Sequence, residues 1–264
     1  MKPILFNTEM VRAILDGRKT VTRRIVKLPR SIERGLEFHE DGGIWWQSVG
    51  EGDGGRFSDL GECVNYFNLQ PYRPGDILYV RETWSTKRSN DCLAQPCNTG
   101  ACPYESCETA EGPCFPDEYI YKATDSLPPY GGRKWRPSIH MPREAARIWL
   151  RVTDVRVERL RDITDEQATG EGIRYTDFGM YQPSWKASLD GGKTFCPAKP
   201  IHHPGFHAKD VTKPEQCFPT ARSAFANLWD STIKPADRER YGWEANPFVW
   251  VIEFERCEKP EELT

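Results

Sequence analysis

The chain has 264 residues, 38% of them apolar, and a formal net charge of −3. This length allows a substantial core in one elaborated domain or two small ones. The slight excess of acidic residues argues against a protein that coats nucleic acid non-specifically, because such a protein needs a wide basic surface. No apolar run approaches the roughly 20 residues of a membrane span, and the first residues have too short an apolar core to predict a secretory signal. We therefore expect a cytoplasmic protein without a membrane partner.

The first thirty residues predict a strand, a helix and a second strand. Residues 3–6 have strand character, and Asn7 or Thr8 can cap a helix whose apolar residues recur at helical spacing. Gly17 stands where a helix commonly ends. From Val21 onward the residues are again strand-like. The turn between the helix and this strand carries four cations within residues 17–24.

Further elements follow, separated by three long stretches without a clear period. Strands are predicted at residues 77–84, 119–123, 148–160 and 248–254, and helices at residues 162–172 and 221–233. Thr164 and Gln167 have the spacing of a capping box, and residues 135–142 are too rich in proline for regular structure. The stretches 31–70, 85–117 and 173–218 are interpreted as irregular insertions.

About six strands with only three helices, the strands not alternating with crossover helices, predict an α+β fold. The strands would form a small barrel or a curved antiparallel sheet. Because no internal repeat is visible, we expect a single domain covering residues 1–264.

The basic stretch at residues 17–24 is the first candidate site, because its cations could dock an anion or a nucleic acid. Lys19 also stands three residues before Thr22, which pairs an amine base with a hydroxyl nucleophile. The base would need a lowered pKa, from burial or from neighbouring cations. Positions three apart on a strand face opposite sides, so the pair converges only if the chain turns between them. The alternative is a solvated basic turn that caps a helix C-terminus.

Four strings, in this order along the chain, resemble the ASCH domain, a β-barrel related to the PUA domains that bind RNA. They are residues 14–23, 74–81, 163–172 and 249–254. Residues 81–84 and 135–142 resemble the longer ASCH-like proteins encoded by bacteriophages and prophages. The resemblance implies a PUA-like barrel of about six strands, with flanking helices and the three insertions added to it.

Some small ASCH proteins are amidohydrolases that remove the acetyl group from N4-acetylcytidine, and the resemblance implies that Lys19, Thr22 and Glu171 correspond to their catalytic set. Lys19 would take the proton of Thr22, whose oxygen attacks the acyl carbonyl, and Glu171 would pass a proton to the leaving cytosine amine. Arg23 or backbone amides could hold the oxyanion. By its own sequence context, a glutamate near a helix end and followed by Gly172 is usually a solvated residue.

Aromatic residues and arginines recur at the ends of the predicted strands. A stacking aromatic beside a carboxylate or an arginine is how proteins read an unstacked base. The alternative is a core tryptophan with charges at the strand edge. Glu82 and Trp84 share a strand face by parity. The predicted substrate-binding residues are Arg18, Arg23, Arg81, Glu82, Trp84 and His140.

Five of the nine cysteines cluster in the second insertion, where a Gly/Pro-rich loop has little core of its own. Thiolates there are suited to a structural zinc, which would supply folding energy; reduced thiols are the alternative, and an iron–sulfur cluster is the weaker metal hypothesis. The predicted ligands are Cys92, Cys97, Cys102, Cys107 and Cys114. A second, weaker grouping consists of Cys196, His202, His203, His207 and Cys217.

The sequence therefore predicts an ASCH-type protein that binds RNA or a modified nucleoside. It would act as an amidohydrolase on N4-acylcytidine-like substrates and need no cofactor for catalysis. One alternative is a non-catalytic module that binds RNA or a modified base in the same pocket. Another is a phage accessory protein that acts through protein contacts made by its insertions.

Overall fold

The structure, a computed structural model, describes residues 1–39, 43–47, 54–87, 118–125, 134–181, 186–188, 191–192, 196–197 and 199–261. Within these ranges no helix is long and apolar enough to cross a membrane. The chain divides into two compact units. Unit 1 comprises residues 1–16, 76–151 and 256–264, and unit 2 comprises residues 17–75 and 152–255.

The elements are numbered along the chain. The strands are β1 (Lys2–Leu5), β2 (Val21–Ile25), β3 (Leu36–Phe38), β4 (Ile44–Gln47), β5 (Gly54–Phe57), β6 (Ile77–Arg81), β7 (Trp84–Lys87), β8 (Glu118–Tyr121), β9 (Trp149–Arg159), β10 (Arg174–Tyr181), β11 (Lys186–Ala187), β12 (Cys196–Pro197), β13 (Ile201–His207) and β14 (Phe248–Cys257). The α-helices are α1 (Thr8–Leu15), α2 (Arg30–Glu33), α3 (Leu60–Tyr66), α4 (Asp165–Gly170), α5 (Ala221–Thr232) and α6 (Arg238–Tyr241). Short 3-10 helices lie at Ser138–His140, Arg143–Ala145, Leu160–Asp162, Pro214–Gln216 and Pro235–Asp237.

Unit 1 is built on β1, β6 and the first residues of β9. β1 pairs with β6 in parallel, and β6 pairs antiparallel with β9 from Ile77 opposite Arg151. α1 begins where predicted, because the Asn7 side chain accepts a hydrogen bond from the backbone N–H of Met10 at 2.9 Å. Its buried residues, Val11, Ala13 and Ile14, recur at helical spacing.

Unit 2 contains the rest of β9, most of β14, and β2, in the order β9-β14-β2. β14 pairs antiparallel with β2, which sets Val251 opposite Arg23 and Ile252 opposite Thr22. α4 begins with the predicted capping box between Thr164 and Gln167. Helices α4 and α5 pack against each other.

The mixed helix-and-strand character predicted from the sequence is confirmed. The described strands form several sheets, of five, three, two, two and two strands, and no closed barrel is found among them. A single barrel does not account for the four small sheets, three of which lie in stretches that were expected to be irregular.

The insertion at residues 31–70 is not irregular. It carries α2, α3 and a three-stranded antiparallel sheet in the order β3-β4-β5. The alternation of buried and exposed residues that is typical of a strand is short in β4, where Ile44 is buried and Trp45 is exposed. The ring of Trp46 packs edge-on against the ring of Phe67, with the ring centres 4.9 Å apart. The insertion at residues 173–218 likewise contains regular structure, because β10 and β13 form an antiparallel pair. Residues 88–117 of the second insertion lie outside the described residues.

The predicted strand at residues 77–84 is interrupted. β6 ends at Arg81, and β7 begins at Trp84 with a different partner, β8, where Trp84 lies opposite Tyr121. Between them Glu82 is buried and receives two hydrogen bonds from Arg147, at 2.9 and 3.0 Å. The parity argument for Glu82 and Trp84 therefore does not apply, since the two residues do not belong to one continuous strand.

Candidate functional site

In unit 2 the basic stretch lies against the end of α4. The backbone N–H of Thr20 donates to the carbonyl oxygen of Gly170 at 2.9 Å, and Lys19 forms an antiparallel bridge with Glu171. A side chain at position 170 would lie 3.2 Å from Val21 and 3.3 Å from Thr20. The glycine therefore permits the close approach that brings Glu171 to Lys19.

Lys19 and Glu171 form a buried ion pair. Lys19 Nζ lies 2.6 Å from Glu171 Oε2, and the two side chains are 0% and 3% exposed. The amine also donates to the carbonyl oxygens of Val21 at 2.8 Å and of Glu171 at 3.0 Å. These three acceptors match the three N–H groups of an ammonium ion.

Two opposing effects act on the pKa of Lys19. Burial lowers this pKa, and the positive charges of Arg24 and Arg23 act in the same direction. Glu171 raises it through its charge and its hydrogen bond, without reversing the effect of burial. The Lys19 ammonium therefore gives up its proton more readily than that of a lysine in water.

Arg23 holds the other oxygen of Glu171. Its guanidinium lies 3.4 Å from Glu171 Oε1, 2.8 Å from Gln167 Oε1 and 3.3 Å from Glu158 Oε2. The same Gln167 oxygen accepts the N–H of Thr164, so the capping box of α4 also anchors this arginine. The side chain of Arg23 is fully buried. Its hydrogen-bond partners are Glu171, Gln167 and Glu158.

Thr22 lies on the opposite face of β2 from Arg23, because successive strand residues alternate. It is 2% exposed, beside Ile252 of β14. Among the described residues its hydroxyl makes no hydrogen bond, and none joins it to Lys19 Nζ. The amine does contact the carbonyl of Val21, the residue that precedes Thr22.

The other two arginines of this stretch also have defined surroundings. Arg18 donates to the carbonyl oxygen of Gly172 at 2.9 Å. Burial lowers the pKa of Arg24, while the charges of Glu171 and Tyr72 raise it.

The ion pairs continue beyond Arg23 along β9. Arg156 lies 2.5 Å from Glu158, 2.6 Å from Glu253 and 2.8 Å from Asp154. Burial alone would lower the pKa of Arg156, but the hydrogen bonds to these three carboxylates raise it. The positive charge of Arg156 is thus balanced within the fold.

The remaining residues predicted to bind substrate lie in unit 1. Arg81 donates to the carbonyl oxygen of Met141 at 2.7 Å, and His140 is exposed at the end of a 3-10 helix. Trp84 is 4% exposed, with the guanidinium of Arg136 lying 5.0 Å from its ring centre. Its indole N–H has no hydrogen-bond partner within the described part of the chain. A role for these residues in binding stays a prediction.

The predicted zinc ligands Cys92, Cys97, Cys102, Cys107 and Cys114 lie outside the described residues. In the second grouping, His202 pairs with Asp177, and His207 bonds Thr176 and the carbonyl of Lys209. The described ranges contain no group of three or more His, Cys, Asp or Glu residues that could hold a metal ion.

The sequence patterns did not identify Arg147, Arg156 or Glu158, and they did not indicate that Gln167 also binds Arg23. Each has at least one partner distant in sequence, and a local motif cannot mark such a contact. Comparison of the chain with protein-family models, with curated proteins and with solved structures found no match.

Proposed function

We propose that the protein is an ASCH-type amidohydrolase that removes the N4-acyl group from a cytosine nucleoside, alone or within RNA. The observation that carries this proposal is the buried contact of 2.6 Å between Lys19 and Glu171, which are 152 residues apart in the chain. Two of the three residues that the ASCH resemblance assigns to catalysis are thus directly bonded. The strand order β9-β14-β2, with β14 antiparallel to β2, also supports the proposal of a PUA-like relative at the level of topology.

The pair supplies an acid and a base after one proton shift. At rest Lys19 is an ammonium and Glu171 a carboxylate. Transfer of the proton along their 2.6 Å contact gives a neutral amine and a carboxylic acid. The proton transfer removes two charges from a desolvated site. Burial therefore favours the neutral pair more than water would.

The proposed reaction then proceeds through an acyl-enzyme. Lys19 takes the hydroxyl proton of Thr22 while Thr22 Oγ bonds to the acyl carbon, and Glu171 gives its proton to the cytosine nitrogen as the C–N bond breaks. Water next attacks the threonine ester, giving one proton to Glu171 while the ammonium of Lys19 returns a proton to Thr22. The balance is one amide and one water converted to one carboxylic acid and one cytosine amine.

Thr22 must reach the amine for this step. The Lys19 amine already contacts the carbonyl of Val21, one peptide from Thr22, and the proposal requires the substrate complex to bring the two side chains together. Catalytic hydrogen bonds often tighten only when substrate binds.

The test is release of cytidine from N4-acetylcytidine by the purified protein. Lys19→Met, Thr22→Ala and Glu171→Gln should each lower kcat by at least about 100-fold, the usual scale for general acid–base groups. Exposed neighbours of the same type provide matched controls: Lys27→Met, Thr20→Ala and Glu166→Gln should retain activity. Absence of cytidine release by the wild type, or equal rates in site and control variants, would refute the proposal.

A non-catalytic binding module is the second candidate, favoured by one observation. All three N–H groups of Lys19 are engaged by acceptors other than Thr22. Such a module would bind cytidine or RNA without turnover. If it bound RNA through phosphates, its affinity would fall steeply with salt, and equally for wild type and Thr22→Ala.

A further inference from the structure

A continuous series of ion pairs leads from the surface of β9 to the buried amine of Lys19. Arg156 lies 2.5 Å from Glu158, whose other oxygen lies 3.3 Å from Arg23. Arg23 lies 3.4 Å from Glu171 Oε1, and Glu171 Oε2 lies 2.6 Å from Lys19 Nζ. The side chains are 32% exposed at Arg156 and 0% exposed at Arg23 and Lys19. Arg23 is therefore the link between the surface charges and the buried pair.

The guanidinium of Arg23 is held at one end and holds Glu171 at the other. Its Nη2 donates to Gln167 Oε1 at 2.8 Å and to Glu158 Oε2 at 3.3 Å. The Gln167 oxygen is itself fixed, because it also accepts the backbone N–H of Thr164 in the capping box of α4. Since the guanidinium is planar and rigid, fixing Nη2 also fixes the direction of Nη1, which donates to Glu171 Oε1.

Arg23 is an unusual residue to bury for stability alone. Its side chain is fully buried, and in the described part of unit 2 its Nε–H has no hydrogen-bond partner. A buried donor without a partner costs stability, and so does the desolvation of a buried charge. Because both Nη atoms are bonded to side chains of the protein, the geometry favours a role toward Glu171 over contact with a substrate.

The charges around Lys19 come from β2 and from the end of α4. Burial is the main effect that lowers the pKa of Lys19, Glu171 raises this pKa, and the positive charges of Arg24 and Arg23 lower it further. Of these two arginines, Arg23 is the one bonded to Glu158 and Gln167. A change of charge at either partner should therefore alter the effect of Arg23 on the amine.

We propose that Arg23 is the residue that positions Glu171 for its contact with Lys19. Gln167 and Glu158 hold the guanidinium, the guanidinium holds Oε1, and Oε2 is thereby left facing the amine. The positive charge of Arg23 also favours loss of the proton from the amine. The inference rests on the proposed function for the reaction that this pair performs.

The pKa of Lys19 can be measured without any substrate. The measurement is an NMR titration of protein labelled with carbon-13 at the lysine ε-carbons, and the Lys19 signal is identified by its absence in Lys19→Met. In active protein the alkaline limb of the pH profile of kcat should follow the same pKa, because the proposed reaction needs the proton that the pair shares.

Gln167→Glu adds a negative charge beside Arg23 while keeping an oxygen that can accept from Arg23 and from Thr164. It should raise the pKa of Lys19 by about one pH unit, the effect of a unit charge roughly 10 Å away at the effective dielectric constant of protein sites. Gln216→Glu is the matched control. Gln216 also closes a capping box in unit 2, and its replacement should leave Lys19 unchanged.

Glu158→Gln makes the opposite change, because it removes a negative charge beside Arg23 and keeps one acceptor oxygen. It should lower the pKa of Lys19, by less than Gln167→Glu raises it, since Glu158 is 21% exposed. Glu244→Gln is the matched control, because Glu244 pairs with another arginine of unit 2, Arg161. Damage to the fold would not move one pKa in opposite directions.

Shifts in the same direction in both variants, or shifts no larger than those of the controls, would overturn the role of Arg23 even if N4-acetylcytidine is hydrolysed. If one variant does not fold, the shift of the other relative to its control decides. Opposite shifts without any hydrolysis would support the positioning of Glu171 by Arg23 and refute the amidohydrolase.

Discussion

Removing the amine of Lys19 should destabilise the fold far more than removing an equally close surface lysine. Lys19→Met keeps the length of the side chain but leaves Glu171 as a buried carboxylate, with Arg23 at 3.4 Å and the charge of Arg24 also acting on it. Loss of one partner of a buried pair costs about 3–5 kcal/mol. Because Arg23 still compensates part of the charge, we expect about 3 kcal/mol.

The Lys2–Asp76 pair provides the matched comparison. Its nitrogen–oxygen distance is 2.8 Å, but its side chains are 46% and 29% exposed. Exposed pairs contribute about 0–1 kcal/mol, so Lys2→Met should cost less than about 1 kcal/mol. The two substitutions are chemically identical, but Lys19 and its carboxylate are both buried, whereas Lys2 and Asp76 are both partly exposed.

Urea denaturation followed by tryptophan fluorescence measures both costs. A double variant, Lys19→Met with Glu171→Leu, removes both charges and should cost less than the sum of the single variants by about 2 kcal/mol. If Lys19→Met cost no more than Lys2→Met, or if the two site substitutions were additive, the buried ion pair would not contribute as its geometry indicates.

Two further predictions concern unit 1 and the cysteine-rich stretch. Burial raises the pKa of Tyr121 to about 12. Between pH 10 and 12 the unfolded state therefore loses the phenolic proton while the folded state keeps it. The free energy of unfolding should fall with rising pH over that window. Urea midpoints at several alkaline pH values should show a shallower decline in Tyr121→Phe, and equal slopes would contradict the assignment. We also expect that the protein, purified without chelators, contains zinc, and that Cys102→Ser with Cys107→Ser lowers its stoichiometry by elemental analysis; an unchanged full equivalent would remove both cysteines from the ligand set.

Local signals in the sequence predicted the helix starts well. Asn7 caps α1 and Thr164 caps α4, because a cap needs only a short polar side chain beside its own helix. The long strand β9 followed from its alternation of apolar and polar residues. The end of β6 at Arg81, inside the predicted strand 77–84, could not be predicted. It goes with the ion pair between Glu82 and Arg147, which are 65 residues apart in the chain.

The sequence predicted which residues belong to the candidate site, but it did not predict which of them are in contact. The resemblance selected Lys19 and Glu171, whereas residue spacing could not show that they touch. The contacts of Arg23 with Gln167 and Glu158 arise from the β2–β14 register and from the position of α4, both of which are tertiary. The sequence also warned that Lys19 and Thr22, three positions apart, converge only if the chain turns between them; among the described residues no hydrogen bond joins the two side chains.

The separation of Lys19 from Glu171 also affects the order of events during synthesis. Closing a loop of 152 residues costs about 4 kcal/mol of chain entropy, and ribosomes that add about 5–20 residues per second would make Glu171 about 8–30 s after Lys19. During that interval the lysine has no counterion from α4 and stays hydrated. The buried ion pair would therefore be assembled only after residue 171 has been made.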